Sequence, residues 1–84
     1  RDLADFLAGR RGYEDTLVAV RGAVLAGLQD TRRAARLAPD VRDALVRRVL
    51  QQQGWGEVAQ KLGLAGKAAV LATLRRGLAE LIRD

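Results

Sequence analysis

The stretch Glu57-Val58-Ala59-Gln60-Lys61-Leu62-Gly63-Leu64, EVAQKLGL, decides the reading of the fold. A helix-turn-helix needs an apolar anchor and a small residue on its first helix, then a glycine at the turn. The small residue lets the two helices touch, and the glycine accepts the positive φ of the turn. Val58 supplies the anchor, Ala59 the small contact and Leu62 a second anchor; Gly63 is the turn and Leu64 packs back into the core. Trp55, four residues before Ala59, is placed to pin the start of this helix over 55–62.

Downstream, apolar residues at Val70, Leu71, Leu74, Leu78 and Leu81 recur at helical spacing, predicting a final helix over 66–82 with Gly66 as its cap. Upstream, PDVRDALVRRVLQQQ predicts a helix over 39–53. Pro39 suits its first turn, Val41, Ala44, Leu45, Val49 and Gln52 mark its inner side, and Gly54 is expected to end it. Residues 30–38 make one or two further turns capped by Asp30 or Thr31. A longer helix over 13–29 carries Glu14 and Asp15 in its first turn, where acids are favoured. Its inner stripe is Leu17, Val20, Val24 and Leu28, and a second stripe of small residues is Ala19, Gly22, Ala23 and Ala26. A short helix over 2–9 presents Leu3, Phe6 and Leu7 before Gly9-Arg10-Arg11-Gly12 breaks it.

Leucine and alanine dominate and no segment alternates with period two, so the expected class is all-α. The expectation is one domain over 1–84, a bundle of four or five helices, with packing or dimerisation helices in 1–30 and the helix-turn-helix region in 37–82. The small stripe and a core of modest size for 84 residues suggest a homodimer. The chain opens on Arg1 rather than Met, as an excised domain or a processed product would.

Ser, Asn, His, Cys and Met are all absent. That excludes Ser-His, Cys-His and metal-histidine constellations, so no enzyme activity, no cofactor and no metal site are expected. No run approaches the roughly 20 apolar residues that span a bilayer, and the first residues alternate charged and apolar rather than forming a signal peptide. A cytoplasmic location without membrane contact is the expectation.

Charge is unevenly placed. Residues 1–30 hold four basic and five acidic groups, a net of −1, whereas residues 31–84 hold eleven basic and five acidic, a net of +6. Such asymmetry points to an anionic partner for the second half. The three aromatics, Phe6, Tyr13 and Trp55, are scattered along the chain and form no obvious stacking cluster for single-stranded RNA.

The stretch from Leu37 to Leu64, LAPDVRDALVRRVLQQQGWGEVAQKLGL, resembles the helical DNA-binding region of bacterial sigma factors that reads the upstream promoter element. It is similar also to response-regulator and Fis-type helix-turn-helix domains. A Leu-x-Pro opening becomes Leu37-Ala38-Pro39, the Glu-Ile-Ala run becomes Glu57-Val58-Ala59, and Leu62-Gly63 follows. The tail from Leu74 to Leu81, LRRGLAEL, resembles the end of that family's recognition helix. The stretch between Gly63 and Leu74 is one residue longer than the family spacing, so packing Val70 and Leu74 inside requires a longer turn; otherwise Ala69 and Thr73 face the core.

The resemblance implies a transcription-regulating module bound to duplex DNA, its last helix in the major groove. Lys67, Thr73, Arg75 and Arg76 are then the candidates for base or backbone contact. Arg75 and Arg76 are expected to project outward, unburied. Gln60, Lys61, Arg47 and Arg48 would hold phosphates, and Arg32, Arg33 and Arg36 would extend the electrostatic footprint. The rival expectation is a helical adaptor that docks an acidic protein partner on the alanine face Ala68, Ala72 and Ala79.

Overall fold

The computed structural model describes residues 1–84, and every regular element in it is helical. The chain forms α1 (Asp2–Leu7), a 3₁₀ turn (Glu14–Thr16) leading into α2 (Leu17–Gln29), α3 (Thr31–Ala34), α4 (Pro39–Ala44), α5 (Trp55–Leu62) and α6 (Lys67–Ile82). The all-α class is as the composition predicts. The sixth helix, beyond the expected four or five, is the single turn α3, which Asp30 caps by accepting from the Arg32 and Arg33 amides at 3.0 and 3.2 Å.

The helix-turn-helix geometry follows from one residue. Gly63 takes φ 68°, and the chain closes α5 with two bonds, Gly63 N to Gln60 O at 3.3 Å and Leu64 N to Ala59 O at 2.8 Å. This is the paired closure of a Schellman motif, which needs a left-handed residue at the position after the helix. The turn then runs to Gly66, the N-cap of α6. That longer turn accommodates the extra residue, because Val70 and Leu74 are both fully buried.

α6 is the hub: α1, α2, α3, α4 and α5 all pack against it. Its buried positions Val70, Leu74, Leu78 and Leu81 meet Phe6 of α1, Val20 and Val24 of α2, Ala44 and Leu45, and Val58 and Ala59 of α5 in one core. Two glycines let helices approach closely. A Cβ at Gly27 would lie 2.4 Å from Leu81 Cγ, and one at Gly77 would lie 2.5 Å from Val41 Cγ1.

The segment after α4 departs from expectation. It continues without a break into a π-helical stretch, Leu45–Leu50, and stops there. Gln51 N bonds Val46 O at 2.9 Å, Gln53 N bonds Arg47 O at 2.9 Å, and Gln52 takes φ 58°. The left-handed residue ending this helix is therefore Gln52, not Gly54, which instead caps α5 with φ −65°. Gln52 is also exposed rather than on the inner side, because the wide turn rotates it away from the core.

Candidate nucleic-acid interface

The three aromatics, distant in sequence, meet in space. Phe6 and Tyr13 pack edge to face with centroids 6.1 Å apart, and Tyr13 and Trp55 do so at 5.2 Å. α1 carries Phe6, the loop before the 3₁₀ turn carries Tyr13, and Trp55 opens α5. Phe6 and Tyr13 are buried, while Trp55 is half-buried at the surface. The expectation of scattered aromatics fails because the fold of α1 and α2 over α6 brings position 13 against position 55.

Basic side chains are stationed on these rings. The Arg48 guanidinium carbon lies 5.0 Å from the Tyr13 centroid and 4.5 Å from that of Trp55. Lys67 Nζ lies 5.1 Å from the Trp55 centroid. Both Arg48 and its neighbour Arg47 lie in the π-helical stretch, and they meet different partners; such widened turns recur at functional sites. Arg47 donates from Nε to Asp43 Oδ2 at 3.0 Å and from Nη1 to Gln53 Oε1 at 3.4 Å, so a carboxylate compensates its charge. Arg48 has no carboxylate partner, and its Nε is buried without any hydrogen-bond partner. Its charge is held by ring faces alone, which attract a cation without neutralising it.

The remaining predicted residues divide. Lys67 is exposed at the first residue of α6, Gln60 and Lys61 are exposed on α5, and Arg76 is exposed on α6. None of Lys61, Lys67 or Arg76 is in an ion pair. Thr73 lies inside, 7% exposed, and its hydroxyl donates back to Ala69 O at 2.9 Å. Arg75 does not project outward as the leucine stripe suggests. It is half-buried, donates from Nε to Phe6 O at 2.7 Å, and lies 4.9 Å from the Phe6 centroid. Its position beside Leu74 on the hub helix turns it toward α1 rather than solvent.

Two arginines of the expected footprint are likewise occupied. Arg33 Nη1 donates to Leu81 O at 3.1 Å and to Arg83 O at 3.0 Å, and Arg36 Nη1 donates to Glu80 O at 3.1 Å and to Arg83 O. These guanidiniums satisfy the last carbonyls of α6 and oppose the negative end of its dipole. Arg32 stays exposed with no side-chain partner. The outer face of α6 is Ala68, Ala72, Arg76, Ala79 and Arg83, all exposed, with Arg83 paired to Glu80 at 3.2 Å.

Beside the aromatic cluster, Tyr13, Glu14, Leu17, Arg48 and Gln52 line a groove of about 260 Å³. The Tyr13 hydroxyl is buried without a partner. Burial pushes the phenol above its ordinary 10.0; Arg48 lowers it, Glu14 raises it and Arg21 lowers it. A proton held more tightly in the folded state makes folding favour the protonated form. This contribution is complete below the ordinary value of 10.0 and is lost as pH rises past it toward the folded value. We therefore expect thermal stability to fall through that alkaline range, and Tyr13→Phe to flatten the fall; an unchanged alkaline slope in melting temperature would count against it.

No helix is long and apolar enough to cross a membrane, and no group of three or more His, Cys, Asp or Glu is placed to hold a metal ion. No family model matches the chain, and no solved structure matches it. The chain is similar to part of a curated protein, the tRNA(Met) cytidine acetyltransferase TmcA of Nitrosococcus halophilus. The two are 36% identical over 81 residues, which is 96% of this chain and 11% of that protein.

Proposed function

We propose that this chain is an RNA-binding helical module that engages tRNA on behalf of a cytidine-acetylating enzyme. The observation that carries this reading is the alignment of nearly the whole chain with one stretch of a protein named for a tRNA substrate. The chain spans 11% of that protein's length, and it lacks the nucleophile and histidine combinations of group transfer. We assign it the holding of RNA rather than the chemistry. Arg48 and Lys67, anchored on aromatic faces and uncompensated by carboxylates, are the contacts of choice for phosphate. Lys61, Arg76 and Arg32 add exposed positive charge, and Gln60 adds a neutral donor on α5.

Each cation that neutralises a phosphate releases counterions, so affinity falls with salt. In a titration of tRNA at 50–200 mM salt, the double change Arg48→Gln with Lys67→Gln is expected to reduce the salt slope by about two units, one per cation. Circular dichroism of the double variant should match the parent. A slope unchanged by both substitutions, or no tRNA binding at 50 mM salt, refutes the reading.

A second reading, duplex DNA bound in the manner of sigma-type transcription regulators, is favoured by the Gly63 turn and the α5–α6 arrangement. Its weakness lies in the outer face of α6, where alanines offer little to base edges. Preference for duplex over tRNA in the same titration, lost with Arg76→Ala, selects this reading. If neither nucleic acid binds, the open alanine face Ala68, Ala72 and Ala79 favours the adaptor function with an acidic protein partner.

Self-association is proposed along the outer side of α2, where Val18 is 88% exposed, Leu25 is 43% exposed and Gly22 faces open space. Sedimentation is expected to give a dimer mass that Val18→Glu abolishes. A monomer mass unchanged on tenfold concentration rules the dimer out.

A further inference from the structure

We infer that Trp55 is a stacking platform for one unpaired nucleotide of an RNA, which lays its base on the indole and its phosphate against Lys67 and Arg48. The inference rests on the RNA-binding reading above and names the part of an RNA that the site takes. The donors around this ring are open. Trp55 is half-buried, and its indole N–H makes no hydrogen bond yet reaches solvent. The two terminal nitrogens of the Arg48 guanidinium are in the same state, although its Nε is buried. Lys67 is exposed and in no ion pair.

The chemistry of the three side chains selects the ligand. Tryptophan, arginine and lysine donate hydrogen bonds and accept none. Glu57, the acid in the first turn of α5, pairs with neither cation, and α6 has no acid in its first turn. A set of donors takes a ligand rich in acceptors, and cationic donors favour phosphate oxygens. A bare phosphate or a carboxylate would leave the ring unused. A nucleotide uses all of it, because any base has a face that stacks on an aromatic side chain. In a duplex that face is covered by the neighbouring bases, whereas in a loop or at an end it is free.

The surroundings leave room for a strand. Nothing stands within 4 Å of a Cβ built on Gly54, Gly56 or Gly66. Two of these flank Trp55 and the third precedes Lys67, so the backbone beside the platform carries no side chain to obstruct a close approach. Lys67 is the part that yields. Its ammonium rests 5.1 Å from the indole centroid, a weak hold for an exposed cation. An arriving base displaces it, and its flexible stem carries the charge to the phosphate. Arg48 stays in place, packed 5.0 Å from the Tyr13 centroid and 4.5 Å from that of Trp55.

Trp55 is the only tryptophan, and a base stacked on an indole quenches its emission. The 84-residue chain is titrated with a mixed-sequence RNA dodecamer, the same strand annealed to its complement, tRNA and poly-glutamate. The single strand is expected to quench Trp55, and the duplex and poly-glutamate to leave its emission nearly unchanged. With labelled single strand, Trp55→Leu should weaken binding about tenfold at every salt concentration and leave the salt slope unaltered, because stacking releases no counterions. Trp55→Phe keeps a ring and should recover most of the loss. Lys67→Gln should do the converse, lowering the slope by about one unit while quenching persists. If Trp55→Leu fails to fold, quenching in the wild-type chain carries the test. Single-strand binding without quenching overturns the platform while leaving the RNA-binding reading intact. So does equal quenching by the duplex, or an affinity indifferent to Trp55→Leu. Absence of binding to every RNA at 50 mM salt overturns both, as does poly-glutamate bound as tightly as RNA.

Discussion

Phe6→Ala is expected to unfold the domain at room temperature. Phe6 is completely buried on α1, packs edge to face on Tyr13, and carries the Arg75 guanidinium over its ring. Removing a buried phenylalanine costs about 3–5 kcal/mol through lost burial and the cavity left behind. A single core in a chain near this size supplies only about 3–5 kcal/mol in total. There is no disulfide to retain the fold. The far-ultraviolet helical signal should therefore be largely lost at 25 °C, and Phe6→Leu should restore most of it. A Phe6→Ala variant melting within a few degrees of wild type would mean that α1 contributes little to the core.

The second large effect separates two glycines of the same helix. Gly27→Ala should destabilise, because the new Cβ would lie 2.4 Å from Leu81 Cγ, 2.5 Å from Cδ2 and 3.1 Å from Cδ1. Leu81 is fully buried, and the branch carbon cannot swing aside as a side-chain tip would. Overpacking of this kind costs about 1–3 kcal/mol, against a gain of up to about 1 kcal/mol in helix propensity. Gly22→Ala receives that gain alone, since nothing lies within 4 Å of its Cβ position. The expected result is a lower melting temperature for Gly27→Ala and a higher one for Gly22→Ala. Equal shifts would show that α2 and α6 can separate without loss.

Much of the site was out of reach of sequence reasoning, for reasons specific to each residue. The exposure of Lys67, Gln60, Lys61 and Arg76 was legible because exposed polar positions follow from the helical period once the apolar stripe is assigned. Arg75 was misread because the period gives an angle around the helix and not the neighbour at that angle. At the hub helix, the neighbour is α1. Arg33 and Arg36 carry the same charge as Arg32, but only the crossing of α3 with the end of α6 turns them to its carbonyls. Arg47 has Asp43 four residues before it, a pairing the helical period offers, whereas Arg48 has Ala44 there and finds its ring faces only through the packing of Tyr13 and Trp55.

The sequence by itself determined the helical class, the order of the helices, the Gly63 turn and the leucine and valine core of α6. These depend on periodicity, propensity and a single backbone conformation, all of which act over a few neighbouring residues. The tertiary structure alone decided that Phe6, Tyr13 and Trp55 form one cluster, that Arg48 rests on it uncompensated, and that the Tyr13 hydroxyl is buried unpaired. Those facts depend on contacts across 7 to 42 residues of chain. Such contacts arise only when several helices pack on a common hub and their crossing geometry selects which side chains meet.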